Sequence, residues 1–299
     1  MKRLQQLLST NKDITSIQEG IGAGLKEQMI AGLSGSARSL FMAGLYEQTN
    51  RPLLVVTPNL LNAQKIYEDL TSILEKDKIY LFPANELIAA ELSIASPELR
   101  TQRIETLNYL SNGPKEGIII APISGIKKLL PPAEVWAESQ LVLKVGKDIE
   151  IDKALSKLVA IGYTRADMVT APGEFSLRGG IMDIFPLTEE NPIRIELFDT
   201  EIDSIRTFSV EDQRSLEKVK EATLSPVTET IVSKAGLFKI AERLEEGLEN
   251  SLKKMKDKQA KENMLMQIEH EISMLRSGET FEHMAQYLSL AYDQPASLI

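Results

Sequence analysis

The hydrophobic pattern divides the chain into three textures. In the first third, short apolar runs rich in β-branched residues alternate with helical stretches. Arg51–Pro58 (RPLLVVTP), Lys78–Pro83 (KIYLFP) and Gly117–Ile123 (GIIIAPI) are continuous runs of the kind buried in parallel strands. Between them, LLNAQKIYEDLTSIL repeats Leu and Ile at helical spacing after Thr57 or Asn59. SPELRTQRIETLNYL offers Ser96 as N-cap and Pro97 at the first helical position, and ends near Asn112-Gly113. GIKKLLPP predicts a short helix stopped by Pro131 and Pro132. This strand–helix order predicts a parallel α/β sheet.

From Leu141 the period changes. One short helix, DKALSKLVAIG, is followed by strands with apolar residues at every second position, as in Ile193, Ile195 and Leu197, and with turns at Gly179-Gly180 and Asn191-Pro192. This predicts a small antiparallel α+β lobe inserted on the α/β domain. Beyond about Ser233 the chain is helical again. Leu237, Ile240, Leu244 and Leu248 form one stripe, and Ile268, Ile272 and Leu275 another. KKMKDKQAKEN between them reads as a solvated helix or connection, its lysines diluted by Asp257 and Glu262 rather than forming a nucleic-acid arm. The expected domains are 1–140 (α/β, of which 89–116 could pack with the C-terminal helices), 141–218 (the lobe) and 219–299 (mainly helical).

Composition narrows the function. The chain has 299 residues and a net charge of −9, which argues against a broad basic surface for nucleic acid. It has no cysteine, so disulfides and thiolate metal sites are excluded and a reducing, cytoplasmic setting is expected. Its two histidines, His270 and His283, lie in the charged helical tail and read as surface residues, so no metal site is expected. No apolar run reaches the roughly 18 residues a membrane span needs.

One stretch has the rhythm of a phosphate-binding P-loop: Gly32–Ser39, GLSGSARS, ahead of an apolar helix (SLFMAGLYEQ). In such a loop backbone N–H groups hold the phosphates, a lysine reaches the β and γ phosphates, and a Ser or Thr holds magnesium. Gly32, Gly35 and Ser39 fit. Ala37 adds a Cβ where the second glycine belongs, and Arg38 replaces the lysine by a bulky planar fork. No apolar strand of the α/β part is followed by Asp-Glu; GIIIAP ends in Ala121-Pro122. The loop is read as vestigial, a coincidental Gly/Ser turn being the plainer alternative, and no ATPase activity or nucleotide cofactor is expected.

With these pieces in order, the chain resembles the N-terminal module of the bacterial transcription-repair coupling factors, a module similar to the damage-recognition protein UvrB. SGSARS, LLVVTPN, LFPANE, SPELRTQRIETL and IIIAPISGIKKLLPP carry the resemblance in the α/β part. The most specific string is GYTRADMVTAPGEFSLRGGIMDIFPLTEENPIRIELFDTEIDSIRTF in the lobe. The resemblance implies a UvrB-like fold: a degenerate P-loop, helicase-like parallel-sheet domain, the inserted lobe and a helical C-terminal part. It also implies a non-catalytic module that recruits UvrA to stalled RNA polymerase in nucleotide excision repair. The polymerase-binding and motor domains of the same full-length protein, expected to be an ATP-dependent DNA translocase, would be its other partners.

The same resemblance places Arg165, Arg178 and Arg194 where arginines of the family's lobe face UvrA; Phe175 and Phe185 are weaker candidates, and Phe185, in an apolar strand, reads as core rather than contact. The competing reading is a local salt bridge to Asp167, Glu174, Asp183 or Glu196, all near in sequence. UvrB itself clamps DNA with an aromatic-rich hairpin. The corresponding FPANELIAAELSIASPELR carries one aromatic, Phe82, so no strong or damage-dependent DNA binding is expected. The alternative functions are an ATP-dependent helicase-like core and a UvrB-like damage-binding module.

Overall fold

In a computed structural model, the residues described are 11–84, 96–111, 113, 116–127, 129–279, 281 and 284–298. They form two compact units, residues 1–128 with 298–299, and 129–297. Most of the aromatic-poor stretch that follows Phe82 (residues 85–95) and His283 lie outside the described residues.

The first unit is built on a three-stranded parallel sheet. Strand β1 (Leu53–Thr57) and strand β2 (Ile79–Leu81) flank the central β3 (Ile118–Pro122). Leu53 and Ile79 both pair with Ile118. All five β3 residues are buried, which is why GIIIAP lacks alternation. Helix α1 (Lys12–Gly22) is capped by the Asn11 side chain and packs on α2 (Ala37–Thr49). Helix α3 (Leu60–Ile73) is capped by Asn59 and sets Ala63 and Leu70 against the sheet. Helix α4 (Pro97–Ser111) lies against β2, where the buried Thr106 hydroxyl donates to the Leu81 carbonyl at 3.1 Å. The described part of residues 89–116 thus packs within this unit. A single turn, α5 (Ile123–Ile126), follows β3.

The second unit opens with α6 (Ala133–Ser139), which buries Trp136. Strand β4 (Leu141–Lys144) enters the lobe and pairs antiparallel with the exit strand β11 (Glu221–Leu224), Leu141 opposite Leu224. Entry and exit therefore lie side by side, as an inserted lobe requires, and the lobe runs a few residues past 218. Helix α7 (Ile151–Ala160) covers the apolar face of a six-stranded sheet in the order β10-β9-β8-β7-β6-β5. Those strands are β5 (Thr164–Arg165), β6 (Glu174–Arg178), β7 (Ile181–Ile184), β8 (Ile193–Phe198), β9 (Glu201–Phe208) and β10 (Ser215–Val219). Their alternate residues Phe175, Met182, Ile184, Ile193, Ile195 and Ile205 form the core with Leu158 of α7.

The chain leaves the lobe into helices α8 (Lys234–Lys254) and α9 (Lys258–Ser277) and the short α10 (Leu288–Ala291). Leu237, Ile240, Ile268, Ile272 and Leu275 pack together, as the two stripes predict. Near the end of the chain, Leu130 and Ala296 exchange both backbone hydrogen bonds at 2.9 Å. The lobe and the C-terminal helices fall in one unit, residues 129–297.

The lobe has its own core and its ends meet, so it should fold alone. A fragment of residues 140–230 keeps Val227, whose N–H donates to the Ile161 carbonyl at 2.9 Å. It is expected to unfold in urea in one cooperative transition with a slope of about 1 kcal/mol/M. A gradual, non-cooperative signal would contradict the closure argument.

Candidate functional site: the arginine face of the lobe

The two faces of the lobe sheet differ in chemistry because side chains alternate along each strand. One face is the apolar core. On the other, register lines up Ser176, Asp183, Arg194 and Arg206 on four neighbouring strands. Asp183 is the pivot. Its side chain is 1% exposed and receives hydrogen bonds from arginines on both adjacent strands. Arg194 Nε donates to Oδ1 at 2.7 Å, and a terminal nitrogen donates to Oδ2 at 2.9 Å. Arg178 donates to Oδ2 at 3.1 Å. A bidentate arginine fork matches a carboxylate well and is a strong pairing geometry.

The two arginines nevertheless differ. The Arg194 side chain is only 16% exposed, also donates to the Gln213 side chain at 3.0 Å, and lies 4.3 Å over the Phe208 ring. The hydrogen bond to Asp183 raises its pKa, so it stays charged. It is turned inward, as the salt-bridge reading anticipates. Arg178 is 51% exposed and uses one nitrogen on Asp183, which leaves the outer part of its fork available. Arg165 stands apart in the edge strand β5, exposed and opposite Phe175 in register. The nearby turn is clamped by Glu174, whose carboxylate accepts from the Thr170 and Ala171 N–H groups at 2.8 and 2.9 Å; those bonds lower its pKa. Phe175 is 1% exposed and belongs to the core, which corrects its expected place at a contact surface; Phe185 is buried too. The burial of Phe175 follows from strand parity, which puts it on the same face as Ile184 and Ile193.

One exposed residue at this end carries no family expectation. Phe198, at the end of β8, is 78% exposed. It precedes a tight turn with Asp199 at φ 56°, and its neighbour Leu197 donates to the Gly180 carbonyl at 2.8 Å. A Cβ at Gly180 would come within 3.0 Å of the Leu197 carbonyl oxygen, so the turn needs a glycine there. The two hairpin turns therefore sit together, with Arg178, Ile181 and Phe198 at the same end of the sheet. The sequence signal was an aromatic directly before the Asp-Thr turn of LFDTE, a turn position rather than a strand interior.

The P-loop-like stretch lies in the first unit. Gly32 and Gly35 have φ of 83° and 53°, conformations that suit glycine. No strand precedes the loop among the described residues 23–36. The Ala37 and Arg38 N–H groups turn onto the Ser34 and Gly35 carbonyls at 3.2 and 3.4 Å. Arg38 Nε donates to the Leu33 carbonyl at 3.1 Å, and the buried Ser39 hydroxyl donates to Asp69 of α3 at 2.8 Å. The groups that would meet a phosphate and magnesium are engaged with the protein itself. Among the described residues no cluster of His, Asp or Glu is placed to hold a metal ion, and no helix is long and apolar enough to cross a membrane.

Asp183 and Arg178 should behave differently on mutation. Asp183→Ala leaves Arg194 without its partner in a confined site and is expected to cost about 3–5 kcal/mol. Arg178→Ala removes a half-exposed bond and should cost no more than about 1 kcal/mol. Urea denaturation of both variants checks this. Equal losses would mean that Arg178 is as structural as Arg194.

Comparison with known proteins supplies the family context for this geometry. Residues 141–229 match the UvrB interaction domain. The whole chain is 48% identical over 299 residues to the transcription-repair-coupling factor of Bacillus subtilis (strain 168), covering 25% of that protein. It is 40% identical over 278 residues to the transcription-repair-coupling factor of Staphylococcus aureus (strain USA300), covering 92% of this chain and 23% of that protein. The chain thus spans about a quarter of the length of the curated relatives it matches. The lobe thus matches the UvrB interaction domain, and the chain over its whole length is similar to a quarter-length part of the transcription-repair-coupling factors.

Proposed function

We propose that this chain is a non-catalytic recruitment module whose lobe binds UvrA, within a parent protein that couples stalled transcription to nucleotide excision repair in the cytoplasm. The observation that carries the reading is the hairpin end of the lobe. There a half-exposed Arg178, held by a buried carboxylate, stands at the same end of the sheet as the exposed Phe198 and Ile181. Arginine and large aromatics are the side chains that dominate protein interfaces, and a held arginine has less freedom to lose on binding. Arg165 adds a second exposed cation at the sheet edge. Arg194 supports the surface through Asp183 rather than forming its exposed part.

In this reading the P-loop-like stretch is a remnant. Arg38 and Ser39 are engaged with Leu33 and Asp69, and the loop amides at Ala37 and Arg38 point to carbonyls. The motor activity and the contact with RNA polymerase belong to other parts of the parent protein.

Calorimetric titration of the chain into UvrA tests the recruitment role. Arg178→Ala or Phe198→Ala is expected to weaken binding by about 1–3 kcal/mol with the fold intact. No binding by the folded wild-type chain would remove UvrA as its partner; binding unchanged in both variants would remove the hairpin end from the interface. Titration with labelled ATP and magnesium is expected to give no saturable binding. Saturable binding that Ser39→Ala abolishes would overturn the remnant reading.

A further inference from the structure

The helical hairpin of the second unit carries a charge distribution that the UvrA reading does not use. The buried residues of α8 end at Ala241, and those of α9 begin at Ile268. Beyond them the two helices stay packed on each other through the partly buried Leu244, Leu248 and Met264 and form the arm of the hairpin. From Ala241 to Lys254 it extends about 20 Å at 1.5 Å per residue. Its base is acidic, with Glu242, Glu246 and Glu249, while Glu245 pairs with Arg276 at 2.7 Å. Its tip is basic, with Lys253, Lys254, Lys256, Lys258 and Lys261.

The two acidic residues that dilute this run in the sequence offset only part of its charge, five lysines standing against Asp257 and Glu262. Asp257 is the N-cap of α9, its carboxylate accepting from the Gln259 and Ala260 N–H groups at 2.9 and 3.2 Å. Glu262 stands 4.0 Å from Lys258, and Glu249 3.8 Å from Lys253. Exposed pairs at that range are weak. Lys254, Lys256 and Lys261 are exposed, and no ion pair is recorded for them among the described residues. A cluster of like charges at the end of an arm, on a chain of net charge −9, is held together against its own repulsion.

We propose that this tip is a contact site for the phosphate backbone of duplex nucleic acid, sequence-independent and limited to about three phosphates. The side chains decide the class of partner. Lysine is depleted from protein interfaces, where arginine and aromatics dominate, whereas lysine serves well as a point charge on phosphate. The tip has no aromatic residue on which an unpaired base could stack, so it reads charge density and not bases. Duplex offers one charge per roughly 1.7 Å of axis, the densest target of this kind. The acidic base of the arm repels the same polyanion, which confines contact to the tip and keeps it weak.

Fluorescence anisotropy with a labelled duplex of about 25 base pairs tests the site, at a series of salt concentrations upward from about 25 mM. With about three phosphates neutralised, log affinity should fall against log salt with a slope of about −2 to −3. The variant Lys254→Gln, Lys256→Gln, Lys261→Gln should lose at least about tenfold at the lowest salt and most of that slope. All three positions are exposed, and circular dichroism confirms that the variant is folded. No binding by the wild-type chain at the lowest salt would overturn the proposal, as would binding unchanged in the variant. A single strand of equal length bound more tightly than the duplex, or polyglutamate bound as tightly, would also overturn it, the last result pointing to an acidic protein surface instead.

Discussion

A carboxylate placed in the middle of a sheet, out of contact with water, is strongly destabilising unless its charge is met. Asp183 meets this condition through two arginines on the strands either side, three hydrogen bonds in all. The arrangement requires β7 to lie between β6 and β8 in one register. A slip of one residue would turn Asp183 into the apolar core and Met182 out of it. The same interaction therefore locks strand register and fixes the pose of Arg178. Arg194 satisfies most of the carboxylate from within, and Arg178 carries the remaining bond outward to the surface.

The first unit shows the opposite use of similar residue types. Its loop has glycines at positive φ and opens a helix. Its hydroxyl joins α2 to α3 through Asp69, and its arginine folds back on the loop. These bonds tie the loop to itself and to α3.

Much of the fold was legible in the sequence because the relevant forces are local or periodic. GIIIAP announces a strand buried on both faces, and PIRIELF announces one buried on a single face. Asn59, one of the two candidate starts, caps its helix, and Pro97 stands first in its own. The site was legible only in part. The family resemblance pointed to three arginines, but which of them faces outward depends on their neighbours in three dimensions. Arg194 turns inward because Gln213 and Phe208 close over it, residues 19 and 14 positions away, contacts that no spacing rule displays. Phe175 was misplaced because its face of the strand is set by pairing with Ile184. Phe198 escaped notice because an exposed aromatic at a turn looks, in sequence, like the end of a buried strand. The pairing of Leu130 with Ala296 is likewise invisible along the chain.

Asp183 is proposed to act on partner recognition through Arg178. A double-mutant cycle on UvrA affinity, with Asp183→Asn and Arg178→Ala alone and together, tests it most directly. The account predicts that Asp183→Asn weakens binding in the wild-type background and has little further effect once Arg178 is gone. Losses that simply add would contradict it, showing that the buried carboxylate and the exposed arginine serve the lobe independently.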